Sequence, residues 1–203
     1  MKKRSYRAVP LAAALLVLGG CAGRTQTEPP VSPAAPVREA PSSVVQSQEG
    51  GFSVTFPSPV TEERRVQPTD VGEVTLHTFI AARAQDDTAY YVSYTDFPLA
   101  AVSQVNPRDV VDRASQGALE ALGATAITAK PLQMEGGFPG QEVGGVSGPR
   151  RLRGRFFMVG PRLYQQLLLH PEGRAPEDAD RFFDSFRLDP AVMGRLGQKT
   201  TGG

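Results

Sequence analysis

The sequence predicts an α+β domain: an antiparallel β-sheet with two main helices packed on one face, preceded by a signal peptide and a disordered tether. Three observations lead there. Segments with two-residue alternation follow one another in adjacent runs, which favours antiparallel pairing over the regular strand–helix alternation of a parallel sheet. Only two stretches carry helical spacing, one mid-chain and one near the end. Composition changes abruptly near Gly50, from proline-rich to patterned.

The chain opens on Met1-Lys2-Lys3-Arg4, a cationic head without acids, followed by an apolar run from Ala8 to Leu18. That run is too short to cross ~30 Å of hydrocarbon, which takes ~20 helical residues, and has the length and flanks of a secretory signal. Leu18-Gly19-Gly20-Cys21 stands where a cleavage site belongs and holds the only cysteine of the chain. It resembles the bacterial lipobox, in which the chain is cut before a cysteine whose thiol and new amino group are both acylated. The resemblance implies a signal peptide over 1–20 and lipidation at Cys21, hence a lasting membrane anchor, since two or more acyl chains hold stably where one does not. It also removes the thiol as nucleophile, metal ligand or disulfide partner. Ala22 follows the cysteine where an Asp commonly retains a lipoprotein at the inner membrane, so the expected address is the outer membrane, facing the periplasm.

The full chain has 22 basic and 21 acidic residues; without Lys2, Lys3, Arg4 and Arg7 of the signal it has 18 against 21, a net charge of −3. Overall charge therefore does not favour a nucleic-acid partner. Residues 21–49 read as the lipidated cysteine and its tether, with Pro29, Pro30, Pro33, Pro36 and Pro41 among small and polar residues. Such a segment cannot bury enough surface to offset its ordering entropy, and proline biases it to ~3.1 Å per residue, so it reads as a spacer.

The domain is expected over 50–190, an ordinary single-domain length without internal repeats. Phe52, Val54 and Phe56 alternate with polar residues until Pro57. Val74, Leu76, Thr78 and Ile80 alternate against Thr75, His77, Phe79 and Ala81; Tyr90, Val92 and Tyr94 do so against Tyr91, Ser93 and Thr95, with Ala84–Asp87 as a hairpin turn between. Asn106 and Pro107 then open a helix that Gly123 closes, with Val111, Ala114, Ala118 and Leu122 along one side. Weaker strands flank "GGFPGQ", where Pro139-Gly140 suits a type II turn. Two strong strands meet near Gly160-Pro161, and Pro176 opens a helix whose Ala179, Phe182, Phe183 and Phe186 form an apolar stripe. Residues 191–203 read as a flexible tail.

"GFSVTFP", "YYVSY", "RLYQ" and "FFDSFRL" together resemble the PsbP-like superfamily, over roughly residues 50–189. That group includes an extrinsic thylakoid subunit of photosystem II, a bacterial periplasmic lipoprotein family and a Ran-binding nuclear import factor fold. The matching residues are Phe52, Phe56, Pro57, Tyr164, Phe182, Phe183, Ser185 and Phe186, all of structural type, so no functional site is carried across. The resemblance implies an accessory or assembly role without chemistry of its own.

Direct signs of chemistry are sparse. His77 and His170 are the only histidines and have no zinc-ligand spacing around them, so no metal is expected. The acidic pairs Glu62-Glu63 and Asp86-Asp87 lack the ligand spacing of calcium loops. "VGGVSGP" has glycines but neither the helix nor the lysine of a phosphate cradle, and no cofactor is expected. Two features stand out. Phe138 is either buried or exposed as a contact. Arg151, Arg153 and Arg155 share one face of a strand, either as an ordinary solvated face or as a docking stripe for an anionic partner. The expected function is a lipid-anchored, non-catalytic envelope protein whose domain binds or assembles with another envelope protein. A periplasmic small-ligand or metal-binding module is the alternative, and an enzyme comes third.

Overall fold

The computed structural model describes residues 42–69 and 71–198. Residues 1–41, with Cys21 and most of the expected tether, lie outside the described residues, as do 199–203.

Among the described residues ten strands and four helices follow one another in the order β1 (Ser43–Ser47), β2 (Phe52–Phe56), β3 (Thr61–Thr69), β4 (Gly72–Arg83), β5 (Thr88–Asp96), α1 (Leu99–Val102), α2 (Pro107–Ala121), β6 (Thr125–Gln133), β7 (Pro139–Ser147), β8 (Arg150–Val159), β9 (Arg162–Pro171), α3 (Ala179–Asp184), β10 (Arg187–Leu188) and α4 (Pro190–Gln198). Seven strands form one antiparallel sheet in the order β3-β4-β5-β9-β8-β7-β6, and three form a small one, β1-β2-β10. The α+β antiparallel expectation holds.

Alternation decides which side chains meet. On the first face of the large sheet Phe79, Ala81, Tyr90, Val92, Tyr94, Phe157, Val159, Tyr164 and Leu168 are buried. Phe52, Val54 and Phe56 of the small sheet pack on them, with Phe182, Phe183 and Phe186 around α3 and Val192 and Leu196 of α4. On the second face Leu152, Phe156, Met158, Leu163 and Leu169 form a separate core under Val111 and Leu119 of α2. The helices expected together on one face therefore divide between both. The strands dictate this: β8 is apolar on both sides from Phe156 to Val159, so each face needs its own cover.

Local signals explain several elements. Asn106 Oδ1 accepts from the Arg108 N–H at the start of α2, and Gly123 adopts φ +60° just past its end. Close approach of α2 to β7 depends on Gly145, where a Cβ would sit 2.8 Å from Leu119. The expected 84–87 turn joins β4 to β5, with Asp87 at φ 52°.

Four boundaries differ from expectation. β1 lies in the stretch read as tether: Val44 and Val45 are its only apolar residues, too few to show alternation, yet its inward side chains are half-buried on β2. β3 is a charged, almost wholly exposed edge strand, so it has no buried face to leave a pattern. The 191–203 tail begins as α4, whose Val192 and Leu196 are buried despite the glycines between and after them. Pro139 and Gly140 open β7, and the turn is at Glu135–Gly137, where Gly136 and Gly137 adopt φ +85° and +80°.

Limited proteolysis should accordingly leave a resistant fragment beginning near Ser42 rather than Gly50. Phe182→Ala should cost ~3–5 kcal/mol and Leu196→Ala ~2–5 kcal/mol of unfolding free energy in urea titrations. A loss below ~1 kcal/mol for Leu196→Ala would mean that α4 is not part of the core.

Candidate functional site

A groove of about 580 Å³ opens on the first face, where the large sheet ends and the small sheet begins. Phe157 of β8, Gln166 of β9 and Phe183 and Phe186 around α3 give it a nearly fully buried floor. One wall is the end of β6 and the turn after it, Leu132 to Glu135; the other is Arg187 and Leu188 of β10. Met193 of α4 lies across one end. Gly140 makes the floor possible, since a Cβ there would stand 2.3 Å from the Phe157 ring.

Gln166 is the polar point of that floor. Its exposure is 1%, and its Nε2 donates only at 3.5 and 3.4 Å, to the carbonyls of Phe182 and Phe183. Burying an amide among aromatic rings costs free energy unless it is hydrogen-bonded, and these contacts are longer than the ~2.7–3.2 Å of ordinary N–H···O bonds.

Of the three arginines of the predicted stripe Arg155 alone lines this groove, and the structure pairs each of the three within the chain. Glu142 of β7, cross-strand from Arg155, accepts from Arg155 at 2.7 Å and from Arg153 at 3.1 Å. Arg153 also reaches Asp180 at 2.6 Å, and Arg155 reaches Asp184 at 2.8 Å, so one face of α3 is clipped to β8. Both guanidinium groups lie over the Phe183 ring, at 4.5 and 5.2 Å from its centre. Arg151 pairs with Glu172 at 3.0 Å. Burial by itself would raise the Glu142 carboxyl's pKa, but hydrogen bonds from Arg155 and Arg153 outweigh it and hold the group below its ordinary value. Arg153 and Arg155 thus hold α3, and with it the Phe183 ring of the groove floor, against β8. Phe138 resolves between its two readings as half-buried, packed on the first-face core beside Gly136.

Sequence reasoning missed most of the lining: Leu132, Met134, Gln166, Arg187 and Met193. The available signal was Gln166, a polar residue on the inward face of an otherwise apolar strand.

Two further polar clusters lie on the first face. Arg162, nine-tenths buried, makes a two-pronged pair with Asp96 at 2.7 and 2.6 Å and donates to the carbonyls of Glu49 and Gly50, pinning the β1–β2 turn. Burial opposes its charge, yet the Asp96 and Tyr164 hydrogen bonds raise its pKa. It borders a second groove of about 680 Å³ lined by Phe97, Leu99, Val192 and Leu196. Beside it His77 stacks on Tyr94 at 4.4 Å between ring centres, and burial followed by the Glu49 charge pushes the Tyr94 phenol up to about 12. In the other cluster, Tyr90 donates to Asp178, which Arg83 also binds at 2.5 Å, anchoring the approach to α3. His170 carries its Nδ1 2.8 Å from the Pro171 carbonyl. Among the described residues no group of three or more His, Cys, Asp or Glu is gathered as a metal site would need, and Cys21 lies outside them.

No protein-family model matches the chain, and no curated protein matches it in sequence. Among solved structures, cyanobacterial PsbP from Synechocystis sp. PCC 6803 is similar at a TM-score of 0.51 and 15% identity, over 77% of this chain and 98% of that one. A protein of unknown function from Pseudomonas aeruginosa aligns over 77% of this chain and 94% of its own at 14% identity, with a TM-score of 0.31, too low to argue from. The fold is PsbP-like. At this identity the likeness concerns fold alone.

Glu142→Gln should destabilise the domain by on the order of 1.5–3 kcal/mol at pH 7, the range for hydrogen bonds to charged groups. Because the carboxyl is depressed in the folded state, its contribution is present above the unfolded value of ~4.3 and fades as pH falls through the folded value. Urea titrations of both proteins at pH 7 and near pH 3 should therefore show the gap narrowing in acid. A constant gap would assign the effect to packing.

Proposed function

We propose that the chain is a lipid-anchored cell-envelope protein whose α+β domain binds another envelope component without transforming it. The groove between the two sheets carries this reading. It is a concave site with an aromatic floor, a single buried amide and charged residues at its edges, the composition of a recognition site. The charged groups nearest its floor, Arg155 and Asp184, are bound to each other, and neither histidine lines it. Its residues are thus arranged to hold a surface.

Anchoring at Cys21 supplies the other half. Residues 22–41 precede the first described residue, and at the ~3.1 Å per residue of a proline-rich extended chain they would reach on the order of 60 Å. That would carry the groove well clear of the bilayer, facing a partner in the periplasm, with the outer membrane the favoured address.

Two measurements test the two halves. With an alkyne fatty acid fed to cells, wild type should be labelled and shortened, whereas Cys21→Ser should be unlabelled and retain its first 20 residues. A labelled, processed Cys21→Ser protein would defeat the anchor. A photo-crosslinking residue at Met193, in the groove, should give an adduct that the same residue at exposed Glu73 does not. Equal adducts from both positions, or none, would remove the groove as the binding site.

A further inference from the structure

Resting on that reading of the groove, we infer that its ligand is an extended polypeptide segment of a partner protein, lodged between two open sheet edges. β6 is the terminal strand of the seven-stranded sheet and β10 that of the three-stranded sheet, and both line this one groove. Their registers show where free main-chain groups point. The Met134 N–H donates to the Phe138 carbonyl at 2.9 Å, so by the alternation of antiparallel pairs its neighbour Gln133 turns its own N–H and C=O away from β7. Gln133 and Pro139 thus form a non-hydrogen-bonded pair. Likewise the Asp189 N–H donates to the Gly51 carbonyl at 2.8 Å, which turns the N–H and C=O of Leu188 away from β2.

Two donor–acceptor pairs are therefore presented on opposite walls of one groove, as main-chain recognition of an added strand requires. On the large sheet, the edges away from the groove are blunted in the usual ways. β3 carries Glu62, Glu63, Arg64, Arg65 and Pro68, and β6 has a register shift at Ala126/Thr128, then Lys130 and Pro131. The stretch of β6 left open is the stretch at the groove.

Side chains add selectivity. The aromatic floor of Phe157, Phe183 and Phe186 accepts one apolar side chain, with Gln166 at its base. Of the groove's two basic residues, Arg155 is taken up by Glu142 and Asp184. The Arg187 guanidinium bonds only to carbonyls of its own chain, those of Asp184 and Phe186, among the described residues. An acidic residue of the peptide placed toward β10 would complement it, since an arginine fork matches a carboxylate. The ligand class is an extended segment with an apolar anchor and a nearby acid.

The test uses the full lipidated chain in detergent micelles, panned against displayed random twelve-residue peptides. Selected peptides should share an apolar residue beside an acid and bind wild type in fluorescence anisotropy. N-methylation at alternate backbone positions should weaken binding at least tenfold for one phase of the alternation. Met193→Arg and Leu132→Arg, at the mouth, should each do the same, Met193→Arg with unchanged melting temperature, while Arg187→Glu should reverse the preference for an acid. Failure to select any peptide, or binding indifferent to both N-methylation and the mouth variants, overturns the inference. If a groove adduct still forms from Met193 in cells, only the peptide assignment falls; if it does not, the binding reading falls with it.

Discussion

Phe52 stands where the two sheets meet, and most of the architecture depends on its contacts. Its ring packs edge-on against Phe79, Tyr94 and Tyr164 of the large sheet, at 5.4, 6.2 and 6.2 Å between centres, and stacks on Phe186 at 5.3 Å. Three-stranded β1-β2-β10 is too small to hold a fold alone. It persists because β2 buries every second residue against this aromatic layer. Once β2 is seated, β10 can pair with it, and the Ser185 hydroxyl ties α3 to β2 by accepting from the Thr55 N–H and donating to the Phe182 carbonyl. The groove is the space left where the small sheet ends before the large one does.

Electrostatics then stiffen what the rings have placed. A six-residue helix is far below the length at which helices are stable by themselves. α3 is held by Phe182 and Phe183 inward and by Arg153 and Arg155 along its side. Asp180 and Asp184 are largely exposed, so those outer pairs contribute little each. Glu142 is less exposed and shared by two arginines, which makes it the member whose loss the domain feels. A face that reads in sequence as surplus positive charge is, in the fold, neutralised by acids brought from β7, α3 and the end of β9.

How much of this was legible follows from which residues leave a pattern. Buried faces do: β2, β4, β5, β8, β9 and the Phe182–Phe186 stripe were all visible, because one side of each is mostly apolar. The edges do not. β1, β3 and α4 have exposed faces or too few apolar residues, and only their partners reveal them. The division of helices between two faces was hidden in Phe156 to Val159, apolar on both sides, a run that predicts burial without saying what covers it. The groove was the least legible feature. Its walls come from β6, β10 and α4, brought together by the fold, and its recognition groups are main-chain atoms that no side-chain motif encodes. The fold class could be read because hydrophobic periodicity records it; the site could not, because register and edge position create it.

The account turns on two sheet edges standing open on one groove, and amide hydrogen exchange of the free protein measures that directly. Gln133 and Leu188 should exchange much faster than Met134 and Asp189, whose N–H groups are bonded to the Phe138 and Gly51 carbonyls. Protection at Gln133 and Leu188 equal to that of those neighbours would mean that both edges are already covered, and would contradict the account.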